Sequence, residues 1–184
     1  NEAERIVSLF RNSGLPTRVH RCSDPEALSD ALGNPWDLCI ASPNCEQLPP
    51  LTALQTLQKA GRDLSFIQLI AEQDTDLIIE ALQQGAQDAV AIGQDEHLML
   101  VVQRELANLY QRRSLRSAEV TLLEVEKRCQ LLLDSSIDAI AYVHEGMHIY
   151  ANRAYLKLFG HNDPDDLAGI PMIDLIAAHD QDNF

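Results

Sequence analysis

Apolar positions along the first two-thirds of the chain alternate between helical spacing and short continuous runs. Residues 3–13 place apolar side chains three and four positions apart, which predicts a helix that Gly14 ends. Residues 17–23, TRVHRCS, alternate in polarity and predict a strand. WDLCIASPN, residues 36–44, predicts a buried strand that ends at Ser42, because the following proline stops further pairing. Helix and strand signals therefore succeed each other from the start.

The same alternation continues to about residue 92. Asp24 and Pro25 resemble an N-cap and the first helical residue, and Gly61 and Gly85 are typical helix ends. The predicted elements are helices over 25–32, 51–61 and 74–86, and strands over 64–71 and 88–92. Strands that alternate with helices of about ten residues predict a doubly wound parallel sheet with helices on both faces.

A helical pattern without a break runs from Asp95 to about Asp134, about 60 Å of helix. One stripe of it carries Arg113 and Arg116 between apolar residues, and those two should splay outward or pair with Glu119 and Glu124. Two interpretations stay open: a helix that packs on its own sheet and continues as a solvated spacer, or a parallel coiled coil that pairs two chains. The coiled coil would form a homodimer through Val102, Leu106, Leu109, Val120 and Leu123.

The last third of the chain predicts a hairpin followed by a helix. AIAYVHEG and MHIYAN, residues 139–146 and 147–152, indicate two strands joined by a turn at Glu145 and Gly146. Asn152 is placed to cap the following helix, which Gly160 ends.

Composition excludes some partners. The chain has 28 acidic and 14 basic residues, a formal charge of −14, so it should repel nucleic acid and anionic membranes. No stretch approaches the roughly 20 apolar residues of a membrane span. Its four cysteines form no C-x-x-C pair, which favours reduced thiols in a cytoplasmic protein. They are Cys22, Cys39, Cys45 and Cys129.

Four segments together resemble the receiver domain of two-component response regulators over residues 1–112. They are DPEALSDAL, WDLCIASP, FIQLIA and EALQQGAQDAVAI. The resemblance implies a flavodoxin-like fold whose first strand would lie upstream of Asn1. It also implies that Ser42 stands at the phosphoacceptor aspartate, Ile70 at the switch hydroxyl and Ile92 at the lysine.

These three residues lack the chemistry of phosphoryl transfer to a receiver. That reaction needs a carboxylate nucleophile, Mg²⁺, a lysine and a hydroxyl group. Isoleucine supplies neither charge nor hydrogen bond, and Ser42 has neither a nearby histidine nor a G-x-S-x-G elbow. Asp37 does not substitute, because it begins the same strand about 15 Å away. The sequence therefore predicts a pseudo-receiver with no catalytic residue and no metal site.

Residues 135–184 resemble the first part of an α+β PAS domain, joined to the receiver by a helical linker over 113–134. The matching segments are DSSIDAI, YANRAYLKLFG, DDLAG and HDQDNF. PAS domains bind haem, flavin or small ligands, or only dimerise. No cysteine follows Cys129, so the flavin-photosensor pattern is absent. Surface or capping roles are favoured over haem ligation for His144, His148, His161 and His179. No cofactor is expected within this sequence.

A degenerate receiver, a long helix and a PAS domain in this order resemble the front of bacterial cyclic di-GMP signalling proteins with a receiver–PAS–GGDEF–EAL arrangement. The resemblance implies a non-enzymatic regulatory and dimerisation module in type IV pilus-based twitching motility, cytoplasmic and positioned at a cell pole with protein partners there. Cyclic di-GMP would bind only in domains outside this sequence. Two alternatives stay open: an active phosphoryl-accepting receiver, and a ligand- or cofactor-sensing PAS unit in a two-component-type sensor or regulator.

Overall fold

A computed structural model describes residues 2–167 and 170–175, and the chain divides into two compact units, Asn1–Arg116 and Ser117–Phe184. The helices are α1 (Glu2–Asn12), α2 (Pro25–Ala31), α3 (Pro50–Ala60), α4 (Thr75–Gln84), α5 (Asp95–Ser135) and α6 (Arg153–Leu158). The strands are β1 (Leu38–Ala41), β2 (Ser65–Ile70), β3 (Asp88–Ala91), β4 (Ala141–His144) and β5 (Met147–Ala151). Short 3₁₀ helices cover Pro164–Asp166 and Met172–Leu175.

The first unit is built on a three-stranded parallel sheet in the order β1-β2-β3. Successive side chains of a strand point to opposite faces of the sheet, and in the central strand β2 both sets are buried. Phe66 and Ile70 join one apolar cluster, while Ile67 and Leu69 join the other. The parallel sheet that the alternating pattern predicts is therefore confirmed.

Helices cover both faces of this sheet. One cluster holds Leu28 of α2, Leu54 of α3 and Ala81 of α4, and the opposite cluster holds Phe10 of α1 and Leu98 of α5. The ends of these helices follow the predicted caps. The Asp24 carboxylate accepts the Ala27 N–H at 2.8 Å, Asp74 caps α4 in the same way, and Gly61 and Gly85 are left-handed.

The predicted strand over 17–23 does not form. A strand exists only where its backbone pairs with a neighbour, and among the described residues β1 pairs with β2 alone. The segment instead contacts Trp36: the Arg18 guanidinium lies 5.5 Å from its ring centroid and the His20 ring lies 6.0 Å from it. Its alternating polarity predicted a strand, but the described residues include no neighbouring strand with which it could pair.

The long helix α5 has two halves with different surroundings. In its first half Val102 packs against the sheet, Leu109 is buried, and Arg113 is hydrogen-bonded to the first unit. From Ser117 to Leu132 every side chain is exposed. An unbroken helix from Asp95 to about Asp134 was predicted, and α5 is one helix of 41 residues, but its environment changes near its middle.

The sequence predicted that the Arg113 side chain splays outward or pairs with Glu119 or Glu124, but it does neither. Its guanidinium donates to the Asp37 carboxylate at 2.6 Å, to the Trp36 carbonyl at 2.8 Å and to the Asp63 carbonyl at 2.6 Å. Glu124 pairs with Arg128 at 2.6 Å. The prediction is wrong for Arg113 because two backbone carbonyls and a carboxylate, all distant in sequence, suit the fork of an arginine better than solvent does.

We expect Arg113→Ala to lower the free energy of unfolding of the first unit by about 1.5–3 kcal/mol, the usual range for hydrogen bonds to a charged group. Urea denaturation followed by the fluorescence of Trp36, the single tryptophan, measures it. Arg116→Ala is the matched control, since Arg116 is exposed and three residues away on the same helix. Equal effects of the two substitutions would contradict the anchoring role of Arg113.

The second unit contains the predicted hairpin and helix. β4 and β5 are antiparallel, and Glu145 and Gly146 both have positive φ, 51° and 81°, as a two-residue hairpin turn of this hand requires. Asn152 caps α6 by accepting the Tyr155 N–H at 2.9 Å. The HDQDNF segment of the PAS resemblance lies outside the described residues, and so does His179.

Candidate functional site

The carboxyl ends of β1, β2 and β3 meet at one edge of the parallel sheet, the edge at which open α/β sheets place their ligands. Ser42 follows β1, Ile70 is the last residue of β2 and Ile92 follows β3. All three predicted positions thus come from strand ends that share this edge.

Ser42 is held in a local turn. Its Oγ accepts the Asn44 N–H at 3.3 Å, and its carbonyl accepts the Cys45 N–H at 3.4 Å. No carboxylate or imidazole hydrogen-bonds to the Ser42 hydroxyl in the part of the chain that the structure describes. Without such a base the hydroxyl keeps its proton and is a poor nucleophile.

The backbones of Ile70 and Ile92 are hydrogen-bonded neighbours, but their side chains lie on opposite faces of the sheet. The Ile92 N–H donates to the Ile70 carbonyl at 2.9 Å, which extends the β2–β3 ladder by one residue. Ile70 is 3% exposed and packs in the cluster with α2 and α3, whereas the half-buried Ile92 packs in the opposite cluster with α1 and α5. Both side chains extend the core at the strand ends, and neither offers a polar group to a ligand.

Polar side chains near this edge bind each other. Gln94, after β3, donates to the Gln73 side chain after β2 at 2.7 Å, so the two loops are tied together. Asp74 is engaged as the cap of α4. Asp37 lies at the opposite end of β1 and pairs with Arg113. Among residues 2–167 and 170–175, no group of three histidine, cysteine or acidic side chains is arranged to hold a metal ion.

Two thiols of the first unit, those of Cys39 and Cys22, are poorly disposed to react. Burial raises the pKa of Cys39 to about 12. Burial, and then the charge of Asp24, raise the pKa of Cys22. A thiol must ionise to act as a nucleophile or a metal ligand, so both remain protonated at neutral pH. Cys39 is a small core residue, as its position in an apolar strand predicted.

His148 has a role that its sequence position did not reveal. Its Nδ1 donates to the Ile170 carbonyl at 3.0 Å, and its Nε2 lies within hydrogen-bond distance, 2.9 Å, of the Tyr155 hydroxyl oxygen. Burial raises the pKa of that tyrosine. The imidazole therefore bridges β5, α6 and the segment near residue 170. Only the packing of these elements creates the bridge, so no spacing rule would have found it.

The five predicted dimer residues divide between two environments. Val102 and Leu109 are buried within their own chain, and Leu106 packs on the same apolar cluster as Val102. These three are occupied within one protomer and cannot also line a seam with a second chain. Val120 and Leu123 are 60% and 65% exposed. The predicted seam thus loses its first three positions, because that face of α5 already covers β2 and β3.

A shallow cavity of about 210 Å³ lies near the amino ends of β1 and β2. Trp36, Arg62, Asp63 and Arg113 are among its lining residues. Two of its charges are already paired, Arg113 with Asp37 and Asp63 with Arg112. The cavity accompanies the Arg113 anchor, and no sequence pattern predicted it, because its walls come from three distant segments.

Comparisons with known proteins place the fold of the first unit. No family model and no curated protein matches the chain. The signal receiver domain of a Luxo repressor-type protein from Vibrio parahaemolyticus has a TM-score of 0.53 at 16% identity, over 61% of this chain and 87% of that one. The receiver domain of the Francisella response regulator 1452 has a TM-score of 0.49 at 23% identity, over 60% and 88%. The first unit has the receiver fold.

A further structural neighbour is a fusion protein that carries the trimeric coiled coil of yeast Spc42. Its TM-score is 0.51 at 16% identity, over 71% of this chain and 86% of that one. Among the described residues, no helix is both long enough and apolar enough to cross a membrane, despite the 41 residues of α5.

Proposed function

We propose that this chain is a non-catalytic regulatory and dimerisation module of a bacterial signalling protein, with a pseudo-receiver that does not accept phosphate. The observation that carries the proposal is the carboxyl edge of its receiver-type sheet. Ser42, Ile70 and Ile92 occupy that edge, and they supply neither a carboxylate nucleophile nor a lysine. A receiver fold that has lost its chemistry keeps the surfaces through which such domains contact other proteins.

The finer proposal is that the module belongs to a FimX-type cyclic di-GMP signalling protein that controls type IV pilus-based twitching motility. Its support is the sequence resemblance to a degenerate receiver followed by a long helix and the start of a PAS domain. In this proposal, degenerate GGDEF and EAL domains outside the sequence bind cyclic di-GMP, and this module needs no cofactor. Its partners are a second copy and proteins of a polar pilus or signalling complex in the cytoplasm.

Incubation with acetyl phosphate and Mg²⁺ should leave the mass of the intact chain unchanged, because Ser42 has no base among the described residues and isoleucine stands at the lysine position 92. Intact-protein mass spectrometry measures this, with an aspartate-bearing receiver domain treated in parallel as the positive control. Ser42→Asp alone should not restore a stable adduct, since isoleucine remains at positions 70 and 92.

A stoichiometric, base-labile phosphoryl adduct on the unsubstituted chain would overturn the pseudo-receiver proposal. Peptide mapping of such an adduct would show whether Ser42 or a carboxylate elsewhere carried it. Unchanged mass together with labelling of the control domain supports a regulatory role without phosphorylation.

Dimerisation is the second part of the proposal. Its main support is the stretch of α5 from Ser117 to Leu132, whose side chains are all exposed. The structural likeness to a fusion that contains a coiled coil is consistent with helix association.

A further inference from the structure

The second half of α5 exposes more apolar surface than a solvated spacer needs. Leu122 and Leu132 are 59% and 71% exposed, and valine and leucine side chains between them are similarly open. A helix of about 16 residues without tertiary contacts is marginal in water, because helical stability in proteins comes mostly from packing of one apolar face. We therefore expect the apolar face of this stretch to be covered by a partner.

One stripe of this stretch is apolar without interruption, and it follows the spacing of a coiled-coil seam. Its positions alternate three and four residues apart, as the a and d positions of a heptad do. They are Leu115, Ala118, Leu122, Val125, Cys129 and Leu132. The stripe through Val120 and Leu123 instead contains Arg116 and Lys127. The heptad therefore selects a seam other than the one predicted from the first half of the helix.

The two halves of α5 thus use different faces. The stripe through Val102 and Leu109 leads on to Arg113, which is bound to the first unit. The uninterrupted stripe begins two residues later at Leu115, on another side of the helix, and none of its side chains is buried by the described residues of its own chain. One face of α5 completes a core within the protomer, and the other is left for a second molecule.

We propose that a second copy of this chain covers this stripe in a parallel, in-register, two-stranded coiled coil over residues 115–132. The inference rests on the dimerisation part of the proposed function and specifies its residues, register and direction. Ala118 and Cys129 are small, so the two helix backbones can approach closely at these layers. The seam ends before Asp134, whose carboxylate is engaged by the Tyr150 hydroxyl at 2.9 Å.

Charges beside the seam favour the parallel direction. In a parallel coiled coil, each e position lies beside a g position of the second chain. With Leu115 at an a position, Glu119 lies near Ser114 of the second copy and Glu126 near Thr121 of the second copy. An antiparallel pair on the same seam would set Glu119 against Glu126 of the second copy. The two-fold symmetry of such a pair would also set Glu126 against Glu119 of the second copy, so the repulsion would occur twice. Like charges at these positions oppose association, so the chain discriminates against the antiparallel form.

Light scattering coupled to size-exclusion chromatography of the full chain tests the seam. At tens of micromolar we expect twice the protomer mass of 20.5 kDa for the unsubstituted chain and the single mass for Leu122→Glu. Leu123→Glu is the matched control: the same change one residue away, at an exposed position off the seam, should leave the dimer intact. Both leucines are exposed in the protomer, so neither substitution should unfold it.

The outcomes separate this inference from the proposed function. A monomeric unsubstituted chain would overturn dimerisation itself and the inference with it. A dimer that survives Leu122→Glu, or that only Leu123→Glu dissociates, would overturn this seam and leave dimerisation standing. A mass of three or more protomers would overturn the two-stranded form. None of these results bears on whether the receiver accepts phosphate.

Oxidation of Cys129 tests the direction. In the parallel pair the two Cys129 side chains face each other, whereas an antiparallel pair separates them by about 16 Å, too far for a disulfide. Copper phenanthroline and oxygen take two electrons and two protons from the two thiols. We expect most of the chain to run as a covalent dimer without reductant, and Cys129→Ser to abolish it. A dimer by light scattering that does not cross-link would overturn the parallel arrangement.

Discussion

Asn152→Ala should destabilise the second unit by about 3–5 kcal/mol, because it leaves four backbone polar groups without their partner and removes a helix cap. The Asn152 carboxamide is 0% exposed and makes four hydrogen bonds of 2.9 Å. It accepts the N–H groups of Ile140 and Tyr155 and donates to the carbonyls of Leu133 and Asp138. One side chain thus joins the end of α5, the approach to β4 and the start of α6.

Hydrogen exchange of the full chain measures this effect by region. Amides of β4, β5 and α6 should exchange faster in Asn152→Ala, while those of β2 should keep their protection. Asn162→Ala is the control, since Asn162 is exposed and should change the free energy of unfolding by less than about 0.5 kcal/mol. Unchanged protection in Asn152→Ala would mean that water replaces the carboxamide and that the network is not essential.

Ile70→Lys should abolish cooperative folding of the first unit, with a loss of more than about 4 kcal/mol. Ile70 lies within an apolar cluster at the end of the central strand, so the lysine would have to bury an unpaired ammonium group or displace the helices around it. Ile92→Lys should cost less, because that side chain is half-buried and a lysine there can extend its charge to water.

Urea denaturation followed by Trp36 fluorescence compares these variants. Ile70→Val is the size control and should lower the free energy of unfolding by only about 0.5–1.5 kcal/mol. If Ile70→Lys unfolded at the same urea concentration as the unsubstituted chain, the position would be open to solvent. The receiver-type edge would then keep room for a polar group, which would contradict the proposed pseudo-receiver.

Local signals were sufficient for most elements of the fold. The helices and the three parallel strands follow from apolar spacing, and Asp24, Asp74 and Asn152 cap helices where their side-chain chemistry indicates. The segment over 17–23 has the alternation of a strand, but the described residues supply no neighbouring strand for it to pair with. A strand depends on a partner distant in sequence, and the pattern of a single segment does not contain that information.

The same limit applies to the site and to the long helix. Parallel strands predict that Ser42, Ile70 and Ile92 share an edge, but not that the last two pack on opposite faces. On α5, periodicity identifies apolar stripes without identifying what covers them. Arg113 illustrates this, because its carboxylate and carbonyl partners lie 50 or more residues away in sequence. The three-residue spacing from Arg113 to Arg116 said nothing about them.

The Arg113 anchor has a consequence for how α5 tolerates changes in length. The anchor fixes the rotation of the helix about its axis relative to the sheet, and each residue turns the helix by about 100°. An insertion or deletion of one residue between Arg113 and Leu115 would therefore rotate the exposed stripe by about 100° around the axis of α5, relative to the face that carries Arg113. The residues of the stripe would stay the same. The number of residues after the anchor thus sets the angle, around the axis of α5, between the face that carries Arg113 and the exposed stripe.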